Sequence, residues 1–161
     1  MAYKIRKAGA DDAAFLVEML LAAFDWRGTG QFTVSEVLAR PDIAHYVAGW
    51  PRPGDLGVVA TDGDGHPVGA CWLRYLPADD PGYGWVAADI PELTLGVAAA
   101  HRNRGLGRLM LRELVRVARE AGVEQLSLSV EPDNHAHGLY LSEGFEVVGR
   151  YGGADTLSRR T

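Results

Sequence analysis

Apolar residues recur at two spacings along this chain, and the switches between them lay out its elements. Tyr3-Lys4-Ile5-Arg6 reads as a short opening strand. Asp11-Asp12 then marks a helix start, and Phe15, Leu16, Met19, Leu20 and Ala23 follow at helical spacing. Trp26-Arg27-Gly28-Thr29-Gly30 breaks that helix. A second one is expected near Ser35, with Val34, Val37, Leu38 and later Ile43 on its apolar side. Gly49 to Gly54, which holds two prolines, is a loop. Leu56 to Thr61 and Pro67 to Tyr75 are apolar runs joined by Asp62-Gly63-Asp64-Gly65, and Asp-Gly between such runs predicts a hairpin because the turn needs positive φ. Pro77 to Pro91 is a second loop.

The second half alternates more regularly. Leu93, Leu95 and Val97 share one face of a strand, opposite Glu92, Thr94 and Gly96. An amphipathic helix starts at Leu106, with Leu106, Met110, Leu114, Val117, Ala118 and Ala121 as its buried stripe, and Gly122 stops it. Leu126, Leu128 and Val130 belong to the next strand. A short helix covers about Ala136 to Glu143, Gly144 ends it, and Phe145 to Gly149 opens another strand. The tail, Ala154 to Arg160, adds a last edge strand. One mixed sheet flanked by helices, an α/β fold in a single domain over residues 1–161, is the economical architecture.

Composition narrows the function classes. At 161 residues, 47% hydrophobic and 23% charged, the chain is an ordinary globular one. Its one cysteine, Cys71, excludes an internal disulfide and sits in an apolar run, as a buried thiol would. The charged N-terminus has no apolar stretch behind it, and no segment approaches the ~20 apolar residues of a membrane helix, so a cytoplasmic location and no membrane partner are expected. A net charge of −5 without a broad basic face argues against nucleic acid as a partner.

The chemistry is concentrated where Leu95-Gly96-Val97 ends a strand, a basic turn from Ala98 to Gly105 follows, and a long helix starts at once. A helix start leaves backbone N–H groups without internal partners, and the helix dipole adds positive charge there. Gly105 and Gly107 allow close approach to a phosphate, with Arg102, Arg104 and Arg108 as cationic neighbours. The spacing Arg-x-x-Gly-x-Gly lacks the third glycine of a dinucleotide fingerprint and the Gly-Lys-Ser/Thr of a P-loop.

Arg102-Asn103-Arg104-Gly105-Leu106-Gly107 resembles the Arg/Gln-x-x-Gly-x-Gly/Ala pyrophosphate loop of the GNAT N-acetyltransferase family. Leu93 to Val97 resembles that family's splayed fourth strand. The stretch from Asn134 to Phe145 resembles its second motif, Asn-x-Ala-x-x-Leu-Tyr-x-x-x-Gly-Phe. The specific match runs from Glu92 to Gly149, and the first half agrees only in element order. Ala99 stands where many members have proline. The resemblance implies a central, mostly antiparallel sheet with flanking helices. It also implies acetyl-CoA as cosubstrate with no metal, direct attack by a primary amine in a ternary complex, and room for a homodimer.

Roles follow from the same resemblance. The backbone of Val97 and Ala98 pairs with the pantetheine arm, N–H groups near Val97 stabilise the oxyanion, and Arg102, Asn103, Arg104, Gly105, Leu106, Gly107 and Arg108 hold the pyrophosphate. Tyr140 is the candidate general acid for the departing thiolate, against a tyrosine that merely packs on its helix; a thiol near ~8.5 and a phenol near ~10 are close enough for that transfer. Asn134 caps the short helix and contacts the cofactor arm. Glu92 is the candidate base, acting through a water on an amine whose pKa is near ~10.4, against an ordinary strand-end carboxylate. His135 and His137 read as solvent histidines, not ligands. Trp72 reads as core. Trp26 and Trp50 flank loops that shape the acceptor pocket in the family, and Trp85 with Asp79 and Asp80 could line a cationic amine site, although packing suits each one taken singly. The acceptor, a small amine or a peptide or protein amine, is not readable. Two rivals stand beside the enzyme: a non-catalytic module that senses acyl-CoA, and an enzyme using the loop for another phosphorylated ligand.

Overall fold

The computed structural model describes residues 2–30 and 32–161. Seven strands form one sheet: β1 (Lys4–Lys7), β2 (Leu56–Thr61), β3 (Pro67–Arg74), β4 (Glu92–Val97), β5 (Gln125–Val130), β6 (Glu146–Tyr151) and β7 (Ala154–Arg160). Their order is β1-β2-β3-β4-β5-β7-β6, and every adjacent pair is antiparallel except β4–β5. The tail strand therefore corrects the expectation of an edge. It inserts between β5 and β6, because the Gly152-Gly153 turn folds it back along β6 while its other side pairs β5 from Gln125 to Val130.

Helices cover both faces. On one lie α4 (Leu106–Glu120) and α5 (Ala136–Ser142), with Met110, Leu111, Leu114 and Ala118 packed on Val58, Cys71, Leu73, Leu93 and Leu126. The α4 stripe differs in detail from the expected one: Leu111 and Val115 are buried, Val117 is half-buried and Ala121 is exposed. The other face carries α1 (Ala13–Phe24), α2 (Val34–Ala39) and α3 (Pro41–Ala44), around Leu16, Leu20, Val37, Ile43 and Trp72. The expected second helix is two, split at Arg40, because the residue before a proline is pushed out of helical geometry.

Helix ends follow local chemistry. Gly122 and Gly144 adopt φ of 84° and 90°, and the next residues return N–H groups to Ala118 and Tyr140 carbonyls, closing both helices. The hairpin turn is held by Asp62, whose carboxylate accepts from the Asp64 and His66 N–H groups.

Two features position the site. α1 crosses β4 at Gly96, where an added Cβ would lie 2.4 Å from the Met19 carbonyl oxygen. Gly96→Ala is expected to cost about 1–3 kcal/mol, because backbone must move to admit the methyl. A thermal melt checks this, and an unchanged Tm would mean α1 shifts freely. The second is Arg74, fully buried, which pairs with buried Asp55 at 2.7 Å and donates to the His45 and Ala48 carbonyls. Sheet register sets Arg74 beside Glu92, yet its guanidinium is spent on Asp55 and the chain after α3.

Candidate active site

β4 and β5 pair only at Glu92 and Ser127, then diverge. From Leu93 onward the β5-facing edge of β4 is left without a strand partner, while its other edge stays paired with β3 through Val97 and the Ala98 N–H reaches the Val68 carbonyl. The divergence opens a cleft of about 1060 Å³. Its walls come from the end of α1, β4, the loop before α4, and the segment between β5 and α5.

At one end of this cleft lies the basic turn. Asn103 and Gly105 take φ of 62° and 77°, a left-handed pair that turns the chain sharply into α4. The first intrahelical bond is from Leu109 N–H to the Gly105 carbonyl, so the N–H groups of Leu106, Gly107 and Arg108 are the free ones of the helix start. A Cβ on Gly107 would make ordinary contacts with Leu139 at 3.4 Å and Leu95 at 3.6 Å, so it is a side chain larger than a methyl that would close this end. The arginines divide. Arg102 lines the cleft, its Nε donating to the Val97 carbonyl at 3.3 Å. Arg108 also lines it but is held by Glu143 and Ser142. Arg104 is exposed and does not line the cleft. The combination of open strand edge, free N–H groups and missing side chain suits a long ligand with an anionic end.

Tyr140 lies midway, buried against Phe145, with its hydroxyl bonded to no described residue. Burial, with nearby Cys71, pushes its phenol well above the usual value, so it keeps its proton and is a weaker acid toward a thiolate than the ordinary phenol assumed from the sequence. Asn134 sits one residue upstream of the position expected for a cap, and its Oδ1 still accepts the Ala136 N–H at 3.0 Å.

Glu92 and Tyr46 form the far end. Glu92 is 4% exposed, and its Oε2 accepts the Tyr46 hydroxyl at 2.5 Å while Oε1 is buried without a partner. Burial pushes the carboxyl up to about 7, against the Tyr46 hydroxyl and the Gly84 N–H, which favour the charged form. No described cation relieves it, Arg74 being engaged elsewhere. The segment from Gly82 to Gly84 closes over this carboxyl; a Cβ on Gly82 would fall 2.1 Å from Glu92 Oε1, and one on Gly84 2.3 Å from the Leu128 backbone. Tyr46 Oη also accepts the Tyr83 N–H at 2.8 Å, so one hydroxyl ties loop and carboxyl together. Tyr46 follows a short helix without any motif, and nothing local in the sequence marks it.

The tryptophans and histidines divide: Trp50 and Trp85 take the packing role and not the cleft, and His137 departs from the solvent position expected. Trp50 is core, its Nε1 on the Gly9 carbonyl, and lies off the cleft. Trp85 donates to the Leu76 carbonyl and Asp80 bonds His45, so neither lines the cleft. His137 is half-buried against Asp155 at 2.9 Å, while His135 is exposed. Trp26 does line it, and Trp72 is core. Arg27 bridges from below the Trp26 loop to Glu131 and Asp133 after β5.

Residues 20–145 match the family model described as the acetyltransferase (GNAT) family. The chain belongs to that family. A mycothiol acetyltransferase of Beutenbergia cavernae is 35% identical over 100 residues, 62% of this chain and 31% of that protein. A Bacillus subtilis protein described as a candidate ribosomal protein bS18 alanine N-acetyltransferase is 25% identical over 147 residues, 90% of this chain and 82% of its own length. The chain thus spans under a third of the first relative and most of the second. Among solved structures, the PaiA N-acetyltransferase of Thermoplasma acidophilum in complex with coenzyme A superposes with a TM-score of 0.68 at 18% identity, covering 100% of each chain. The GNAT fold expected from the motifs is the observed one. No helix among the described residues is long and apolar enough to cross a membrane.

Proposed function

We propose that the protein transfers the acetyl group of acetyl-CoA to a primary amine by direct attack in a ternary complex. The observation that carries this reading is the single cleft that joins an unpaired β4 edge, the free N–H groups at the start of α4, a protonated Tyr140 and a carboxyl near neutrality. The open edge of β4 at Val97 offers backbone groups to an amide-bearing arm, as an added strand would, whereas Ala98, the other residue expected there, has its N–H on the Val68 carbonyl and its carbonyl on the His101 N–H. Arg102 to Arg108 supply the phosphate end, chiefly through backbone. Both relatives named above carry acetyltransferase names, one for mycothiol and one for an alanine of ribosomal protein bS18, so small-molecule and polypeptide amines both remain within the proposal.

In the reaction the amine nitrogen forms its bond to the acyl carbon as the carbon–sulfur bond breaks. The ammonium first gives one proton to Glu92 through water or the Tyr46 hydroxyl. After the neutral nitrogen attacks, its second proton leaves to solvent while Tyr140 protonates the departing sulfur and is itself reprotonated from solvent. Glu92 then releases its proton to solvent. Glu92 fits the base because its pKa of about 7 lets it hold or release a proton near neutrality. A homodimer would cover Val147 and Val148, which stand exposed on the outer strand β6; light scattering of the purified protein checks it, and a monomer at all concentrations removes it.

Calorimetric titration with acetyl-CoA, beside desulfo-CoA and ADP-ribose, tests the proposal, followed by thiol release with an amine panel. Acetyl-CoA is expected to bind with ADP-ribose weak or silent. Absence of acetyl-CoA binding refutes the reading. Tight binding without turnover of any amine favours the acyl-CoA sensor. Tyr140→Phe is expected to lower kcat about tenfold with unchanged acetyl-CoA affinity. That is less than the ~10²–10⁴ of a full acid, since a thiolate with a pKa near ~8.5 leaves tolerably alone. Unchanged kcat removes Tyr140 from the acid role.

A further inference from the structure

The end of the cleft away from the basic turn is walled by aromatic rings. Phe24 packs against Tyr46 and Tyr83 with centroids 6.0 and 5.8 Å apart, Tyr83 reaches Tyr151 at 6.1 Å, and Phe32 lines the same end. These rings come from five separate segments, the α1 end, the loop before α2, the chain after α3, the loop before β4 and the end of β6, so no local pattern assembles them. Glu92 lines the same cleft and is the one buried carboxyl among its described lining residues. The remaining acids on the cleft are engaged: Asp25 accepts from Thr29 and Gly30, and Glu131 and Asp133 share Arg27 at the rim.

We propose that the acceptor is a monoamine with an aromatic or apolar body, its single ammonium over the Tyr83 ring above Glu92 and its body against Phe24 and Tyr151. This rests on the transferase reading of the same cleft. Ring faces attract one cation and bury a flat apolar group without asking for hydrogen bonds. A polyamine or aminoglycoside brings several ammonium groups, and this end holds one buried carboxyl to answer them. Leaving a second cation unpaired among aromatic walls is costly. Once its proton has left, the amine is neutral, and the apolar wall favours that form.

The test compares phenethylamine with spermidine and kanamycin by thiol release, and measures phenethylamine binding calorimetrically in the presence of coenzyme A. Phenethylamine is expected to give at least tenfold higher kcat/KM than either polycation. Tyr151 is 63% exposed, so its removal spares the core. Tyr151→Ala is expected to raise KM for phenethylamine roughly three- to tenfold, the loss of one aromatic contact, with KM for acetyl-CoA unchanged. Equal or better use of spermidine or kanamycin overturns the inference and leaves the transferase reading intact. Phenethylamine neither bound nor acetylated overturns it as well. Phenethylamine bound but never acetylated also overturns the acceptor assignment, while acetyl-CoA binding with turnover of another amine leaves the transferase reading intact.

Discussion

Glu92→Gln is expected to cut kcat by about 10²-fold or more and to abolish the rise of rate with pH through neutrality. The expectation follows from where the carboxyl sits. Burial without a cation raises its pKa to about 7, so in the wild type the base form fills in as pH climbs past that value and the rate plateaus above it. Glutamine has similar size and can still accept the Tyr46 hydroxyl, so the active-site shape is retained while the titrating group is gone. A pH–rate profile of both proteins checks this. A glutamine variant that keeps the wild-type profile would exclude Glu92 as the base. Tyr46→Phe gives an intermediate case: losing a donor that favours the carboxylate moves the midpoint upward without flattening the curve.

Stability carries the same signature with a sign that can be worked out. The folded-state pKa lies above the ordinary 4.5, so the protonated form is the one the fold prefers. That contribution is fully present below the ordinary value and is lost as pH rises through about 7, on the order of 3 kcal/mol in all. The wild type should therefore melt lower at pH 8 than at pH 5 by more than the glutamine variant does. Equal pH dependence in the two would place the destabilising group elsewhere.

Gly107→Leu is expected to abolish acetyl-CoA binding while the protein still folds. The position lies in the first turn of α4, and its missing side chain leaves open the space between Leu95 and Leu139. A single methyl would make contacts at 3.4 and 3.6 Å, so Gly107→Ala is tolerated by the fold and serves as the control. A leucine side chain cannot be accommodated between those neighbours and must project into the cleft. Calorimetric titration reads the loss, and the melting temperature reports whether the fold survives. Normal acetyl-CoA binding by a folded leucine variant would contradict the placement of the phosphate end at this turn.

Much of the site's frame was legible along the chain because it is built from neighbours. The Arg102–Gly107 turn, the helix it opens and the Tyr140 helix lie on contiguous residues, and their glycines are required by local backbone geometry. The chemistry of Glu92 was only half legible. Strand alternation set its face, but its raised pKa depends on Asp55 consuming the charge of Arg74 and on Gly82 closing over Oε1, and both partners are distant in sequence. Tyr46, Phe24 and Tyr151 could not be gathered from spacing, since each belongs to a different element. Trp50 and Trp85 pack, as suits each taken singly, while Trp26 lines the cleft, because a tryptophan beside a loop packs inward or lines a cleft according to what folds against it.

The sequence by itself determined most of the elements, the glycine ends of α4 and α5, the hairpin between β2 and β3, and the turn proposed to bind an anion, because periodicity, glycine conformation and free helix-start N–H groups act within a few residues of each other. Only the tertiary structure decided that β7 enters the sheet beside β5, that β4 and β5 part after a single pair, and that an aromatic wall gathers above a buried carboxyl. Strand order and cleft walls are set by which apolar faces meet across long stretches of chain, and hydrophobic burial, being non-directional, leaves no local mark of that choice.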